Sequence, residues 1–406
     1  MPRLFAFSLL ALALIGSAQF GGAATGGAFA PDKDVSQPAA PFAGRTGATK
    51  SKLIRDGGGN AASEKAVALG LAWLAKQQKA NGGWAFDAGA KEETAAATGL
   101  ALLPFLGAGE THKQGTKYKK EVNAGLQWLV KDIVTKDKDA GKFAGAKTLY
   151  GQAIATLALV EAYALTKDPA LKAPAQAALD YIQKNQAENG SWGYTAGQTG
   201  DTSIVGWQVQ ALKAAKLTKD LTVNDKVIQK ANKFLDSTAA GSKKSMYGYT
   251  DNTGAQPGTA LTAVGLLCRY YISDWGPLHA GMIDGVGGLL KVPPVGSGKL
   301  KSMYYYYYAT QVVHFFEGED WKTWNEGPKG KDGTRKGGMR DWLIGQQVDK
   351  DGADRGSWEP EDGFIGKNCG RLGTTAVAVL TLEVYYRHLP LYKRDTGGLK
   401  ELERLK

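Results

Sequence analysis

Acidic and hydroxyl side chains stand where several apolar segments of this sequence begin. Glu92 and Glu93 precede the run TAAATGLALLPFLGAG, and Asp201 precedes the run TSIVGWQVQALKAA. A carboxyl group that burial keeps protonated can deliver a proton, and an adjacent acid raises its pKa further. The same residue types also cap helix N-termini, where they bond free backbone N–H groups. Glu92, Glu93 and Asp201 are therefore candidate catalytic acids, with helix capping as the interpretation that residue type alone favours.

The segments around these residues alternate between two kinds of helix. In the first segment Val67, Leu71 and Leu74 share one face and polar residues occupy the other, which is typical of an amphipathic helix. The runs that follow such segments are apolar on nearly all sides, which indicates helices enclosed by protein. No stretch alternates polar and apolar residues between hairpin turns, so the sequence does not predict a sheet.

A turn that leads to an aromatic residue separates the two helices of each pair. These aromatic residues are Trp84, Phe143, Trp192, Tyr247, Tyr304 and Trp358. They recur about every 55 residues, which indicates an internal repeat of one helical hairpin. Six hairpins fit between residues 64 and 392, and neither end shows the polar outer face of a capping repeat. The sequence therefore predicts an all-α fold, a closed (α/α)6 toroid.

Three of the turns share a glutamine, a glycine and a tryptophan. They read QQKANGGW from Gln77, QAENGSW from Gln186, and GSW from Gly356 after Gln347. We expect the glutamine to bond carbonyl groups left unpaired at its helix end, and the glycine to permit a left-handed turn. The tryptophan is expected to fill space between neighbouring hairpins.

This Gln-x3-Gly-x-Trp unit resembles the QW repeat of squalene–hopene cyclases and of their relatives, the protein prenyltransferases. The segments PFLGAGETH, GDTSIVGWQVQALK, YYYYYATQVVHFFEGEDWKTWN and GRLGTTAVAVLTLEVYYRHLPLY resemble secreted bacterial proteins that carry the prenyltransferase/squalene-cyclase repeat. The resemblance covers residues 64–392. It implies an α/α toroid and does not imply a particular activity.

The sequence lacks the motifs that carry chemistry in these families. Class II terpene cyclases resemble one another in an Asp-x-Asp-Asp-Thr-Ala motif, and the nearest stretch here is EETA from Glu92. Protein prenyltransferases hold zinc with Asp, Cys and His, and no Asp-x-Cys pair is present. Complement-like relatives form a thioester within Gly-Cys-Gly-Glu-Gln, whereas Cys369 stands in NCGRL. We therefore expect no metal and no cofactor, and the sequence does not favour enzyme activity.

Aromatic residues are dense on the segments expected to form the inner ring, and five consecutive tyrosines begin at Tyr304. Consecutive residues point in all directions around a helix, so some of these rings should face the centre. We predict a ligand cavity lined by Trp207, Tyr304, Tyr306, Tyr308, His314, Arg371 and Tyr385. Such rings stabilise cations and suit sugars or lipid headgroups, although packing between inner and outer helices is the competing interpretation.

Several functions stay open at this point. The leading hypothesis is a binding protein without cyclase chemistry, whose cavity takes an isoprenoid, another lipid or a polymer segment. One alternative is a terpenoid cyclase or transferase that uses Glu92, Glu93 or Asp201 as its acid. Another is a structural module of the cell envelope or a glycan-active (α/α)6 barrel. A glycosidase needs two carboxylates across one bond, and no spacing of acids in this sequence singles out a pair.

The termini and the charge bear on location and partners. Arg3, the 12-residue apolar stretch from Leu4 to Ile15 and the small residues up to Ala18 predict a signal peptide over 1–18, and hence export without a later membrane span. Residues 19–60 are expected to be a flexible linker, 61–392 the toroid and 393–406 a charged tail. The net charge is +11, but no nucleic-acid motif is present. We expect a hydrophobic small molecule or an envelope polymer as partner.

Overall fold

The computed structural model describes residues 40–115, 117–294 and 302–387. The predicted signal peptide and charged tail lie outside the described residues, as do residues 19–39 of the predicted linker. None of the helices described is long and apolar enough to cross a membrane.

Six helices form an inner layer and alternate along the chain with an outer layer. The inner helices are α3 (Thr94–Gly107), α5 (Leu149–Thr166), α7 (Thr202–Thr218), α9 (Ala260–Ile272), α11 (Met303–Phe316) and α14 (Phe364–Leu382). The outer helices are α2 (Ala61–Lys76), α4 (Lys119–Asp132), α6 (Pro169–Lys184), α8 (Asp225–Thr238), α10 (Ala280–Leu289), α12 (Gly318–Glu326) and α13 (Met339–Gly345). The other elements are 3-10 helices Ala40–Arg45 and Asp137–Asp139, helices α1 (Gly47–Asp56) and α15 (Val384–Arg387), and a two-stranded antiparallel pair, β1 (Ala239–Ala240) and β2 (Met246–Tyr247).

The inner helices close into a ring. Each packs against the next in the order α3, α5, α7, α9, α11 and α14, and α14 packs against α3. Every residue of α5 is buried except Tyr150, as expected for a helix that is apolar on all sides. Outer helices bury one face only, and α8 buries five of its residues. The predicted (α/α)6 toroid is confirmed.

The glutamine of each Gln-Gly-Trp turn joins two hairpins. Gln78 Nε2 donates to the carbonyl oxygen of Gly82 in its own turn (2.8 Å) and to that of Glu121 on α4 (2.8 Å). Gln186 makes the equivalent bonds within its turn and to α8, and Gln347 within its turn and to α2, at 2.8–3.0 Å. The partners are thus the turn and the next outer helix, whereas we expected the end of the glutamine's own helix. The bond from Gln347 joins the last hairpin to the first.

The tryptophan that follows each of these turns is buried beneath it. The indole N–H of Trp84 donates to the carbonyl oxygen of Leu74 near the end of α2 (2.8 Å). Trp192 and Trp358 make the equivalent bond to the outer helix before them, at 2.9 and 2.8 Å. The fifth hairpin departs from the predicted pattern, because Tyr304 lies within α11 and not in a turn.

Replacing Gln186 with alanine tests this junction. The variant removes two hydrogen bonds and leaves the carbonyl groups of Gly190 and Val227 without this donor. We expect the free energy of unfolding to fall by about 1–3 kcal/mol, measured by urea denaturation. Gln229 is exposed on the neighbouring helix α8, so Gln229→Ala is the matched control, with an expected change below about 0.5 kcal/mol. Equal effects of the two substitutions would contradict the role of Gln186.

Residues 40–60 differ from the flexible linker that we expected. The 3-10 helix Ala40–Arg45 and helix α1 pack across the end of the toroid where the inner helices finish. Phe42 is buried, and Arg45 is only 1% exposed. Nη1 of Arg45 donates to the carbonyl oxygen of Leu106 at the end of α3 (3.2 Å). The side chains that anchor this segment are few, and they find partners only where the fold brings distant helix ends together. The composition of the segment does not reveal these partners, and it therefore suggested disorder.

Large side chains from helices that are not neighbours in the ring meet on its axis. The ring of Trp207 on α7 stacks on that of Tyr307 on α11, with centroids 5.5 Å apart. Gln210 Oε1 accepts from the hydroxyl of Tyr307 (2.9 Å), and its Nε2 donates to the hydroxyl of Tyr308 (3.1 Å). These four side chains form a layer across the axis, which we call the axial layer.

A buried triad of charged side chains lies between the axial layer and residues 40–56, which we call the N-terminal segment. Glu161 on α5 accepts from Arg45 (2.6 Å) and from Arg387 (3.0 Å), and Arg387 also donates to the hydroxyl of Tyr307 (3.1 Å). Burial works against the Glu161 carboxylate, but the two guanidinium groups outweigh it and hold its pKa below the ordinary value. The triad therefore links α5, the end of the chain described and the N-terminal segment.

Neutralising Glu161 should destabilise the protein strongly. Glu161→Gln removes the carboxylate to which the buried guanidinium groups of Arg45 and Arg387 are both bonded, and we expect a loss of about 3–5 kcal/mol in the free energy of unfolding. Chemical denaturation measures this loss. Asp225 pairs with Lys216 at the surface (2.7 Å), so Asp225→Asn should produce only a small fraction of it. If both variants lost little stability, the triad would not hold the N-terminal segment.

Candidate functional site

A cavity of about 260 Å³ opens at the end of the toroid where the inner helices begin. We call it the mouth cavity. Six aromatic rings line it, from Phe86, Tyr150, Tyr194, Trp207, Tyr304 and Phe364. Its polar lining residues are Glu93, Thr148, Asn368 and Cys369. No lysine or arginine is among the described residues that line it, so the cavity does not attract an anion.

Tyr150 lies at the centre of the aromatic wall. Its ring centroid is 5.8 Å from that of Tyr194 and 5.9 Å from that of Phe364. Its hydroxyl donates to the hydroxyl oxygen of Ser203, and the hydroxyl of Tyr304 donates to the backbone carbonyl of Ser203 (2.9 Å). Because the start of α7 engages both phenol groups, the two tyrosines are held in place by partners outside the cavity.

Glu93 is the acid in the cavity wall, and burial raises its pKa. Oε2 accepts from the backbone N–H of Lys147 (3.1 Å), whereas Oε1 is buried with no hydrogen-bond partner in the part of the chain described. Burial raises the pKa of Glu93 by more than bonds from Thr148 and Lys147 lower it. A Cβ on Gly151 would lie 2.3 Å from Oε2, so a larger residue there would displace the Glu93 carboxyl group from this position.

The other two candidate acids lie in different environments. Asp201 is buried and caps α7, where Oδ1 accepts from the N–H groups of Ser203 (2.8 Å) and Ile204 (3.3 Å). Its backbone is extended, at φ −139° and ψ 167°, which suits a capping side chain. Glu93 precedes α3 at φ −79° and ψ 58° and makes no such cap bond. Glu92 is exposed and does not line the cavity.

Two further acids near the mouth are engaged by the backbone of α14. Glu361 accepts from the N–H groups of Gly363 (2.7 Å) and Gly366 (3.1 Å), one on each oxygen. Asp87 accepts from the two N–H groups that follow the kink of α14 at Gly370, where φ is 64°. Of the acids discussed here, Glu93 alone both lines the cavity and keeps a buried oxygen without a partner.

The residues predicted to line one cavity are divided among several places. Trp207 and Tyr304 lie in the wall of the mouth cavity. Tyr308 lies in the axial layer below it. Tyr306 faces the outer layer, where its ring is 5.1 Å from that of Trp342. The inner helix α11 is apolar on all sides, so its sequence does not reveal which of its tyrosines face the axis.

The remaining three predicted residues lie elsewhere. His314 and Tyr385 line a separate cavity at the opposite end of the toroid. Arg371 lies outside the wall of the mouth cavity, where it donates to Glu359 (2.6 Å) and to the hydroxyl of Ser357 (3.0 Å). The structure thus brings Glu93, Trp207 and Tyr304 together and separates them from the other residues predicted for the site.

Sequence reasoning missed several members of the wall, notably Tyr150, Tyr194, Phe364 and Asn368. Tyr150 and Phe364 are in the first turn of α5 and α14, and α3 begins directly after Glu93. Examining the first turn of every predicted inner helix would have found Tyr150 and Phe364. No sequence signal identifies Tyr194, which reaches the wall from a turn.

Thiol and metal chemistry receive no support from the described residues. Cys268 and Cys369 are both buried and free. Burial, reinforced by nearby carboxylates that include Glu93, raises the pKa of Cys369 to about 12, so the thiol stays protonated. No group of three or more His, Cys, Asp or Glu among the residues described is arranged to hold a metal ion.

Comparison with known proteins reveals the architecture only. No protein-family model and no curated protein sequence matches the chain. An alpha-amylase from Clostridium perfringens has a similar structure, with a TM-score of 0.51 and 13% identity over 79% of this chain and 98% of that chain. A GH76A alpha-1,6-mannanase from Salegentibacter sp. gives a TM-score of 0.51 and 11% identity, over 80% and 98%. A type II terpene cyclase from Scytonema gives 0.49 and 13%, over 84% and 100%.

The raised pKa of Glu93 predicts a particular dependence of stability on pH. As the pH rises above about 4.5, the unfolded state releases this proton first, so the wild type loses stability until the pH reaches the folded pKa. Glu93→Gln escapes that loss. We expect the melting temperature of the variant to match that of the wild type at pH 4 and to exceed it at pH 7.

The adjacent acid provides the matched control for this measurement. Glu92→Gln changes the same charge at an exposed position, so its difference from the wild type should not depend on pH in this way. A Glu93→Gln protein that is less stable than the wild type at pH 7 would mean that the carboxylate form is the one the fold supports.

Proposed function

We propose that this protein is an exported binding protein of the squalene-cyclase/prenyltransferase-repeat type, whose mouth cavity takes the end of an uncharged isoprenoid, another lipid or a polymer segment. The observation that carries this proposal is the wall of the mouth cavity. It combines six aromatic rings with one carboxyl group whose pKa is raised by burial, and it has no cationic side chain among the described residues. Such a lining suits apolar and ring-containing ligands.

The size of the cavity limits what enters it. A volume of about 260 Å³ is just below the usual range for sites that enclose a whole drug-sized molecule. The axial layer closes the toroid beneath it, so a long chain does not thread through. We therefore infer that one end of the ligand enters the mouth cavity. The rest of the ligand then lies across the exposed edge of the cavity, which we call the rim.

Exposed aromatic residues extend the cavity across that rim. Tyr194 is 46% exposed, Tyr249 45% and Phe364 45%, and they are among the most exposed large hydrophobic residues of the chain described. The hydroxyl of Tyr249 lies near the side chains of Tyr194 and Asp201, which places it beside the cavity. An apolar patch next to a cavity is typical of a surface that receives a ligand or a partner.

The arrangement of acids favours binding over glycan hydrolysis. The amylase and the mannanase are named for reactions on polysaccharides, and a hydrolase of this kind needs two available carboxyl groups across the bond that is cleaved. Here backbone N–H groups engage both oxygens of Glu361, and Asp201 caps α7. Glu93 is left without a second acid of that kind.

A second candidate function rests on Glu93. Its buried and unpartnered Oε1, together with a raised pKa, suits a carboxylic acid that donates a proton. In that case the protein would start an acid-catalysed reaction of a bound isoprenoid. This function differs from simple binding in one measurable respect, which is product formation that depends on Glu93.

Calorimetric titration with farnesol and with maltotriose tests the binding function. We expect farnesol to bind, and Phe364→Ser to weaken that binding about tenfold, because the half-exposed ring loses its contact with the ligand. The melting temperature of the variant should stay close to that of the wild type. Leu278→Ser removes a similarly exposed apolar side chain (47%) that does not line the cavity, and it should leave the affinity unchanged.

The other outcomes separate the alternatives. Binding of maltotriose alone would indicate a glycan-binding site, and conversion of farnesol that is lost in Glu93→Gln would establish the enzyme. If neither probe binds, native mass spectrometry of protein purified from its own envelope provides the decisive observation. Absence of a co-purified ligand in that measurement would contradict the proposal.

A further inference from the structure

A second cavity, of about 310 Å³, lies at the end of the toroid opposite the mouth. We call it the base cavity. It lies between α1, the end of α11 and the start of α12, and its wall includes His314, Trp321, Tyr385 and the turn at Gly57 and Gly58. The mouth cavity lies where the inner helices begin and the base cavity where α11 ends. The two cavities share no lining residue.

Hydrogen bonds fix the frame of the base cavity. The indole N–H of Trp321 donates to the carbonyl oxygen of Gly57 (2.9 Å), and Asn325 Nδ2 donates to that of Gly58 (3.2 Å). The hydroxyl of Tyr385 donates to Asn325 Oδ1 (2.8 Å). Because the frame uses the polar atoms of Trp321 and Tyr385, their rings contribute apolar surface to the wall.

His314 differs from these aromatic neighbours in having an unused polar atom. The residue is 7% exposed, and Nδ1 is buried with no hydrogen-bond partner in the part of the chain described. Its ring meets that of Trp321 edge to face, with centroids 4.8 Å apart. Burial lowers the pKa of His314 to about 4, so the imidazole is neutral in the physiological range and offers one donor and one acceptor. Because Nδ1 has no accessible surface in this structure, a ligand reaches it only after the ring turns, and the bond then removes the penalty of a buried polar atom without a partner.

The charged residues at this cavity disfavour an anion. Arg55 and Lys322 supply two positive charges, and Asp56, Glu317 and Glu326 supply three negative charges. The lining therefore does not attract an anionic ligand. Its volume lies at the lower end of the range for small-molecule sites.

The backbone beside His314 is held in a rare conformation. Glu317, which also lines the cavity, has φ 60° and ψ −166°, a region that residues other than glycine seldom enter. Such conformations persist only where the surrounding structure enforces them, and they cluster at ligand sites.

We propose that the base cavity is a second binding site, for a neutral polyhydroxylated ring such as a single hexose unit. The imidazole of His314 hydrogen-bonds a ligand hydroxyl, and the aromatic wall packs against the face of the ring. The excess of acidic residues explains why the ligand is not an anion, and the unpartnered imidazole explains why it carries hydroxyl groups. This proposal does not depend on what the mouth cavity binds.

Titration of the full chain with glucose, mannose and N-acetylglucosamine tests the site by nitrogen-15 NMR of the histidine rings. The sequence contains four histidines, so the signals of His314 can be assigned by substitution. We expect one of these sugars to shift the His314 signals and to leave the signals of His279, which is exposed at the surface, unchanged. His314→Phe keeps a ring of similar size and should weaken sugar binding at least tenfold, with an unchanged or higher melting temperature.

A variant at the other end separates this proposal from the function proposed above. Phe364→Ser alters the mouth cavity and should leave the shifts of His314 unchanged. If His314→Phe binds sugar like the wild type, or if none of the three sugars shifts the His314 signals at tens of millimolar, the proposal is wrong. Shifts caused only by glucose 6-phosphate would also overturn it, because they would show that the site selects a charged ligand.

Discussion

Six helices that close into a ring leave space along their axis, and side chains must fill that space because an empty interior loses dispersion contacts. In this protein the large side chains come from α7 and α11, which are not neighbours in the ring. Trp207 stacks on Tyr307, and Gln210 bonds the hydroxyls of Tyr307 and Tyr308. This axial layer decides how deep the mouth cavity is and separates it from the buried charges below.

The lower part of the axis is filled by charge. Glu161 is held between Arg45 and Arg387, and each of these three residues comes from a different part of the chain. A buried ion group of this kind is weak evidence for stability by itself, but removing the carboxylate of Glu161 takes away the bonded partner of two buried guanidinium groups. Because Arg45 is one of the two partners of Glu161, this contact holds the N-terminal segment on the toroid, although that segment lies outside the helical repeat.

The acids at the mouth show how the backbone assigns chemical roles. Asp201 has the extended conformation of a capping residue, and its carboxylate is occupied by N–H groups of α7. Glu93 precedes α3 in a different conformation, and its carboxyl group lies in the cavity wall, where burial raises its pKa. Two acids that each precede an inner helix thus lie in different environments because their backbone φ and ψ angles differ, and the sequence does not reveal that difference.

The sequence by itself determined the closed ring of hairpins. Apolar residues on all sides of six helices, and a turn motif that recurs at a steady interval, have few other ways to bury that surface. The sequence also indicated the correct end of the toroid for Glu93. Only the tertiary structure decided which tyrosines face the axis, because a helix that is apolar all round gives no amphipathic signal of its rotation. It also decided that residues 40–56 dock on the toroid, since Arg45 finds its partners more than 100 residues away in Glu161 and Arg387.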